Sequence, residues 1–380
     1  MIPRFKPFLN HKEFKRIFSF KRNSIQTFEK EFSRVFNNID TVTFPYGRSA
    51  EWAFFKALDI QNTEVIMPAY TCSVVAYAVS LSQNIPRFID INLKDYNMNL
   101  DILEKSINEK TSAIITTHTF GYPQDVERIK EIISKAEKSF NKKIWLINDC
   151  CHAFGAKWDG KLVGNTGDVA IYAFNISKII TSVFGGALTF QDKELSKKIR
   201  NWRNKNFEKP SIFKSIKRRL YLLSIFIAFN PIFYKITWWL QNKTSLLDYF
   251  TKKYHLDSKI EFPKDSQTLM TNFEASIGIE QIKKYQEIIQ KRKIKASKYF
   301  EKYKNNENWI MPPNSKDATY SHFVVRVPNR ESLIKEFANK NIEIGKLIDY
   351  SIPELSCYQH LKSNCPNSAK ASKSTINLPM

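Results

Sequence analysis

From about residue 42 to residue 205 the chain alternates short apolar runs with amphipathic stretches. Residues 42–44, 64–67, 86–91, 112–117, 144–147, 169–174 and 187–190 are short, mostly apolar and rich in β-branched or aromatic side chains, which predicts strands. Between them, 48–58 and 73–81 read as helices. The clearest helix begins at Val126, where Val126, Ile129, Ile132, Ile133 and Ala136 recur at three- and four-residue steps on one face. Strands alternating with helices predict an α/β fold on a large, mostly parallel sheet covered on both faces. In such sheets ligands bind at the carboxyl ends of strands. Asp149, two residues beyond the 144–147 run, falls at one of these ends.

Residues 206–265 break the rhythm. A basic cluster (Lys214, Lys217, Arg218, Arg219) precedes an apolar run over 220–229, then Asn230-Pro231, then a second run over 232–240 with Trp238 and Trp239. Crossing a bilayer takes about 20 apolar residues, so each piece is too short to do so. Two readings stand for 212–245: an interfacial hairpin making peripheral contact with anionic lipid, joined by the basic, aromatic N-terminus, or a helix pair buried against protein. Beyond it, Phe273, Ile277, Ile282, Tyr285 and Ile289 predict one helix running into the Lys-rich 291–304 stretch. A strand at 323–327 and a helix over 331–338 then suggest a smaller C-terminal α+β domain. The expected division is a large domain over 1–265 and a linker helix with the small domain over 266–380.

The 380 residues carry 59 basic and 37 acidic side chains, a formal net charge of +22. Such a charge gathers anionic ligands. Nucleic acid is not the expected partner, because the lysines are dispersed and no helix-turn-helix, zinc-finger or aromatic RNA-binding signature accompanies them. Five cysteines without a Cys-x-x-Cys spacing, and an N-terminus lacking a signal-peptide apolar stretch, predict a reducing, cytoplasmic setting with no disulfide framework and no metal site.

Asp149 and Lys178 carry the chemistry. Alone, the lysine reads as a surface residue and the aspartate as a helix cap. Together, a carboxylate ending an apolar strand and a lysine ahead of Gly185-Gly186 suit pyridoxal phosphate: the amine forms a Schiff base, and the aspartate keeps the pyridine nitrogen protonated. Seven phrases in order surround them: Gly47-Arg-Ser-Ala, Val65-Ile-Met-Pro-Ala-Tyr-Thr, Phe88-Ile-Asp-Ile, His118-Thr-Phe-Gly-Tyr-Pro, Asp149-Cys-Cys-His-Ala-Phe-Gly-Ala, Gly164-Asn-Thr-Gly-Asp and Lys178 with its Gly-Gly. On these phrases the chain resembles the DegT/DnrJ/EryC1/StrS family of pyridoxal-phosphate-dependent sugar aminotransferases.

The resemblance implies a type I pyridoxal phosphate enzyme fold working as a homodimer. It implies transfer of an amino group, from glutamate, to the keto sugar of a nucleotide-diphosphate sugar for surface polysaccharide or glycoconjugate synthesis. Lys178 would carry the Schiff base and shuttle protons, and Asp149 would pair with the pyridinium nitrogen. His152 matches a position near the ring's phenolic oxygen, its bland alternative being a hydrogen-bonded core histidine. Gly47, Arg48 and Ser49, at a helix start, would hold the phosphate. Thr71 and Ser177 are either hydroxyl donors or turn residues. The chain departs from the family at Cys72, where an aromatic often stacks on the cofactor, at Ala173 in place of a phosphate-binding serine, and at Leu269 in place of an arginine near the other subunit's site. Lys178 argues against the family's dehydratase branch, which has histidine there. Two alternatives remain: an enzyme with the same cofactor acting on an amino acid, or a non-catalytic homologue whose insertion binds membrane or protein.

Overall fold

The apolar runs form a seven-stranded sheet in the computed structural model, which describes residues 1–244 and 259–380. Its strands are β1 (Asp40–Phe44), β2 (Glu64–Pro68), β3 (Ile85–Ile89), β4 (Thr111–Thr117), β5 (Trp145–Asp149), β8 (Val169–Ala173) and β9 (Gly186–Phe190), with a small hairpin of β6 (Lys157–Trp158) and β7 (Lys161–Leu162) between β5 and β8. The order across the sheet is β1-β9-β8-β5-β4-β2-β3. Every pairing is parallel except those of β9, which runs antiparallel to β1 and β8. The carboxyl ends of β2, β4, β5 and β8 therefore share one edge.

Alternate residues of each strand enter opposite cores, as the pleat requires. Ile147 packs beneath α3 (Gly47–Ala57), α4 (Ser73–Leu81) and α7 (Lys193–Asn206). Its neighbour Leu146 faces α5 (Leu100–Ser106) and α6 (Val126–Phe140), where Val126, Ile129, Ile132, Ile133 and Ala136 are buried as their spacing predicts. Asp125 caps that helix by accepting from Arg128 N at 3.0 Å.

A helix that the sequence reading passes over covers the β8–β9 side. After α1 (His11–Arg16), α2 (Ser24–Phe36) buries Phe28, Phe32 and Phe36 at four-residue steps. Phe32 meets the rings of Tyr172 and Phe174 at 5.0 and 5.4 Å. The apolar insertion forms α8 (Ile212–Ala228) and α9 (Tyr234–Lys243), so the basic cluster lies inside a helix rather than ahead of it.

The expected single helix after Phe273 is two, α10 (Asn272–Lys283) and α11 (Tyr285–Tyr303). The break is at Lys284, whose amine is drawn to the buried Glu13 at 2.6 Å. The C-terminal part pairs β10 (Phe323–Arg326) antiparallel with β11 (Thr375–Leu378), beside α12 (Arg330–Asn339) and α13 (Pro366–Ser374). Ile2 pairs there too, donating to Asn341 O at 2.8 Å and accepting from Glu343 N at 2.9 Å.

His118, just past β4, is fully buried and accepts from Gln124 N through Nδ1 at 3.1 Å. Burial draws its pKa from the ordinary 6.5 down to about 4. Below about pH 6.5 the unfolded chain gains a proton that the folded one refuses, so stability falls as pH drops through that window. Urea unfolding at about pH 7 and about pH 4.5 should show the wild type losing about 2–3 kcal/mol more than His118→Gln. Equal losses would mean that another group governs acid sensitivity.

Candidate active site

Register places the first pair of site residues. In the parallel β4–β5 ladder Thr117 is the partner of Asp149. The Thr117 hydroxyl donates to Asp149 Oδ2 at 3.3 Å and stands 3.2 Å from Thr71 Oγ1 at the end of β2. Cys151 N donates to Oδ1 at 3.0 Å, turning the chain back on itself directly after the strand. Both oxygens of this buried carboxylate are thus held, one by backbone and one by a hydroxyl. Thr71, open as donor or turn residue, is a member of this chain of hydroxyls. Thr117 was missed by the sequence reading, since only the pairing of two strands reveals it.

Lys178 lies in the loop joining β8 to β9. Asn175 shapes the turn: its side-chain oxygen accepts from Ser177 N at 3.1 Å and Ser177 Oγ at 2.7 Å, and its carbonyl from Lys178 N at 3.0 Å. Ser177 therefore acts as a turn residue, its hydroxyl turned to Asn175. Farther along the loop Val183 sits at φ +76°, a conformation β-branched residues rarely adopt. Among the described residues the Lys178 amine makes no hydrogen bond or ion pair. Its charge still reaches Cys151, His152 and His322, whose protonation it biases.

His152 is held neutral, its pKa pushed well below 6.5 by burial first, then by Lys178 and His322. Its ring stacks on Phe120 at 6.0 Å and meets His322 edge-on at 5.1 Å, while Nδ1 is buried without a partner among the described residues. Phe120 adopts φ +56° to present that face. The next residue must be glycine: a Cβ on Gly121, at φ +93°, would come 2.6 Å from Thr319 Oγ1 and 3.1 Å from His152 O. His322, from the C-terminal part, is a further site residue that no local motif marks.

Gly47, Arg48 and Ser49 form the first turn of α3, where N–H groups precede any intrahelical carbonyl. This turn lies against the strands: a Cβ on Gly47 would stand 3.0 Å from Ala173 Cβ, and one on Gly186 would stand 2.3 Å from Gly47 N. The Arg48 guanidinium lies 5.6 Å from the Tyr46 ring centroid. Ser49 Oγ is spent on Ser266 O at 2.7 Å, so its side chain braces the turn and only its N–H faces a ligand's end of the helix.

Cys72 stands at the N-cap position of α4 and is exposed; Tyr350, close to it, accepts from Ser73 N at 3.0 Å. Glu51, one turn into α3, is 2% exposed, and its Oε1 has no partner among the described residues. Burial first, then the nearby Asp149 charge, pushes its pKa well up, so it is a neutral acid beneath the site. Leu269 does not face this cluster; it packs against the main core and its carbonyl accepts from Lys214 Nζ at 3.3 Å.

The sequence pattern of the DegT/DnrJ/EryC1/StrS aminotransferase family matches residues 15–230 and 240–380. GDP-perosamine synthase of Escherichia coli O157:H7 is 32% identical over 203 residues, 51% of this chain and 54% of that protein. The match thus spans about half the length of that relative. Among solved structures, the sugar aminotransferase CalS13 of Micromonospora echinospora superposes with a TM-score of 0.77 at 17% identity, covering 100% of this chain and 94% of the other. The E coli GDP-4-keto-6-deoxy-D-mannose-3-dehydratase with bound hydrated PLP gives a TM-score of 0.76 at 18% identity, covering 100% and 94%. At such identities the superpositions speak for the fold, and the pattern match across nearly the whole sequence speaks for descent: the chain belongs to the DegT/DnrJ/EryC1/StrS aminotransferase family.

Proposed function

We propose that this protein is a pyridoxal-phosphate-dependent aminotransferase that moves an amino group, from glutamate, to the keto sugar of a nucleotide-diphosphate sugar, supplying surface polysaccharide or glycoconjugate synthesis. One observation carries the reading. A carboxylate with both oxygens fixed and a lysine amine without a partner among the described residues meet at the carboxyl edge of a parallel sheet, next to a helix start.

The residues fit pyridoxal phosphate. The buried Nδ1 of half-buried His152 and the amine of Lys178, neither with a partner among the described residues, are polar atoms awaiting a ligand. Gly47, Arg48 and Ser49 would hold the phosphate through the first-turn N–H groups and the helix dipole. Asp149 would pair with the pyridine N–H, and Lys178 would hold the aldehyde carbon. When bound, the cofactor supplies an electron sink for bond cleavage at the amino-bearing carbon.

The protein's own groups do the rest. Cys151 N–H and Thr117 keep the Asp149 carboxylate aimed, which avoids reorganisation during the reaction. The Lys178 amine, which forms no ion pair among the described residues, would carry a proton between carbons of donor and acceptor. His152 and Glu51 stay neutral, so neither competes with the lysine for it. The net charge of +22 favours a substrate bearing a diphosphate. The working unit is read as a homodimer in the cytoplasm.

Keto-sugar nucleotides assayed with glutamate should yield amino sugar and 2-oxoglutarate. Lys178→Ala should lower turnover by about 10^2–10^4-fold; turnover near the wild-type rate would rule out this lysine as the proton carrier. Asp149→Asn, which keeps the shape but not the charge, should retain the fold and lose about 100-fold or more in turnover. A loss confined to KM would instead show that the carboxylate serves binding alone.

A further inference from the structure

The outer face of α8 breaks the ordinary rule for a surface helix. Its inner side is accounted for: Leu222 packs with Val183, Phe273 and Ile277, Ile225 is buried, and the Lys214 amine donates to Thr268 O at 2.7 Å. The opposite side should be polar. It carries Phe213, Ile216, Leu220 and Ile227, spaced along one stripe, at 77%, 45%, 61% and 56% exposure. The surface goes on through Ile232 in the turn and Ile236 and Trp239 of α9, all more than half exposed. No helix of the described residues is long and apolar enough to cross a membrane.

The N-terminal segment extends this surface. Arg219 donates to Arg16 O at 3.1 Å and Ser19 O at 2.9 Å, and its guanidinium lies 4.4 Å from the Phe20 ring centroid. Phe14 meets Phe226 edge-on at 5.3 Å. Phe18 and Phe20 stand 66% and 86% exposed beside them.

Charge selects the occupant. Residues 209–244 hold seven lysines and arginines and no aspartate or glutamate. Residues 1–24 hold seven more and one acid, Glu13, which is fully buried against Lys284. Lys12, Lys15, Lys21, Arg22, Lys217 and Lys235 are exposed and form no ion pair among the described residues. A two-fold contact between copies would set this face against itself, cation against cation, with no exposed acid on 1–24 or 209–244 to answer it. An anionic lipid surface offers what the face lacks, negative headgroups beside an apolar boundary layer.

We propose that the α8–α9 hairpin, together with residues 1–24, is a docking surface that seats the protein on an anionic bilayer. The apolar tips enter the boundary between headgroups and acyl chains, and the lysines remain in the headgroup layer. This rests on the exposed face alone and stands apart from the reading of the active site.

The test is flotation of the full chain with vesicles of phosphatidylcholine alone or with phosphatidylglycerol added. The wild type should float with the anionic vesicles, and raising the salt or omitting phosphatidylglycerol should lower the bound fraction about tenfold or more. Phe213→Ser/Ile216→Ser/Leu220→Ser should abolish flotation while leaving the thermal melt unchanged. Lys217→Glu/Lys235→Glu, which leaves the apolar stripe intact, should weaken it in proportion to charge. Absence of wild-type flotation at low salt would overturn the proposal. So would a serine variant that still floats but loses its oligomeric state, which would make the face a contact between copies.

Discussion

The parallel pairing of β4 with β5 is the constraint on which the site depends. It sets Thr117 beside Asp149, so that a hydroxyl from one strand fixes a carboxylate on the next. A slip of one residue would turn Asp149 into the opposite core and bring Asn148 to the edge. The register is secured from both sides, since Ile147 and Leu146 belong to different apolar cores. Around this fixed point burial keeps His152, His322 and Glu51 neutral. The site is dry enough to make a misplaced charge costly, which is the setting in which a fixed carboxylate acts most strongly.

A second network ties the insertion to the start of α3. Tyr46 donates to Asp265 Oδ1 at 2.7 Å, and Arg218 of α8 reaches Asp265 Oδ2 at 2.6 Å, the Tyr46 oxygen at 2.9 Å and Glu274 at 3.0 Å. Tyr46 is the residue that precedes Gly47. The helix whose outer face is bare thus has its inner face anchored one residue from the proposed phosphate cradle. Removing one member of such a half-buried set would leave its partners uncompensated, which costs far more than the intact network contributes. The basic cluster of the insertion therefore divides into two jobs: Lys214, Arg218 and Arg219 hold the fold together, while Lys217 stays outside.

Much of this was legible in the sequence because buried parallel strands and amphipathic helices write simple patterns. The 73–81 helix and the 112–117 strand, which begins one residue earlier in the fold, follow directly from apolar spacing, and Asp149 and Lys178 stand out through the phrases around them. What escaped depends on contacts distant in sequence. Helix α2 carries a visible Phe28-Phe32-Phe36 step, yet its place against β8 comes only from the fold. At the break, Lys284 pairs with Glu13, some 270 residues earlier, a contact that no local signal marks. Thr117, His322 and Glu51 gain their meaning from neighbours on other elements. Ser49 and Ser177 show the converse: both occupy the expected place, and both hydroxyls are turned to structural acceptors.

We infer that Lys178, whose amine forms no hydrogen bond or ion pair among the described residues, is the lysine that takes the cofactor. Borohydride reduction of the cofactor-loaded protein followed by peptide mass mapping tests it most directly. A single phosphopyridoxyl mass increment on the peptide containing Lys178 is expected. An increment scattered over surface lysines, or confined to another lysine, would contradict it.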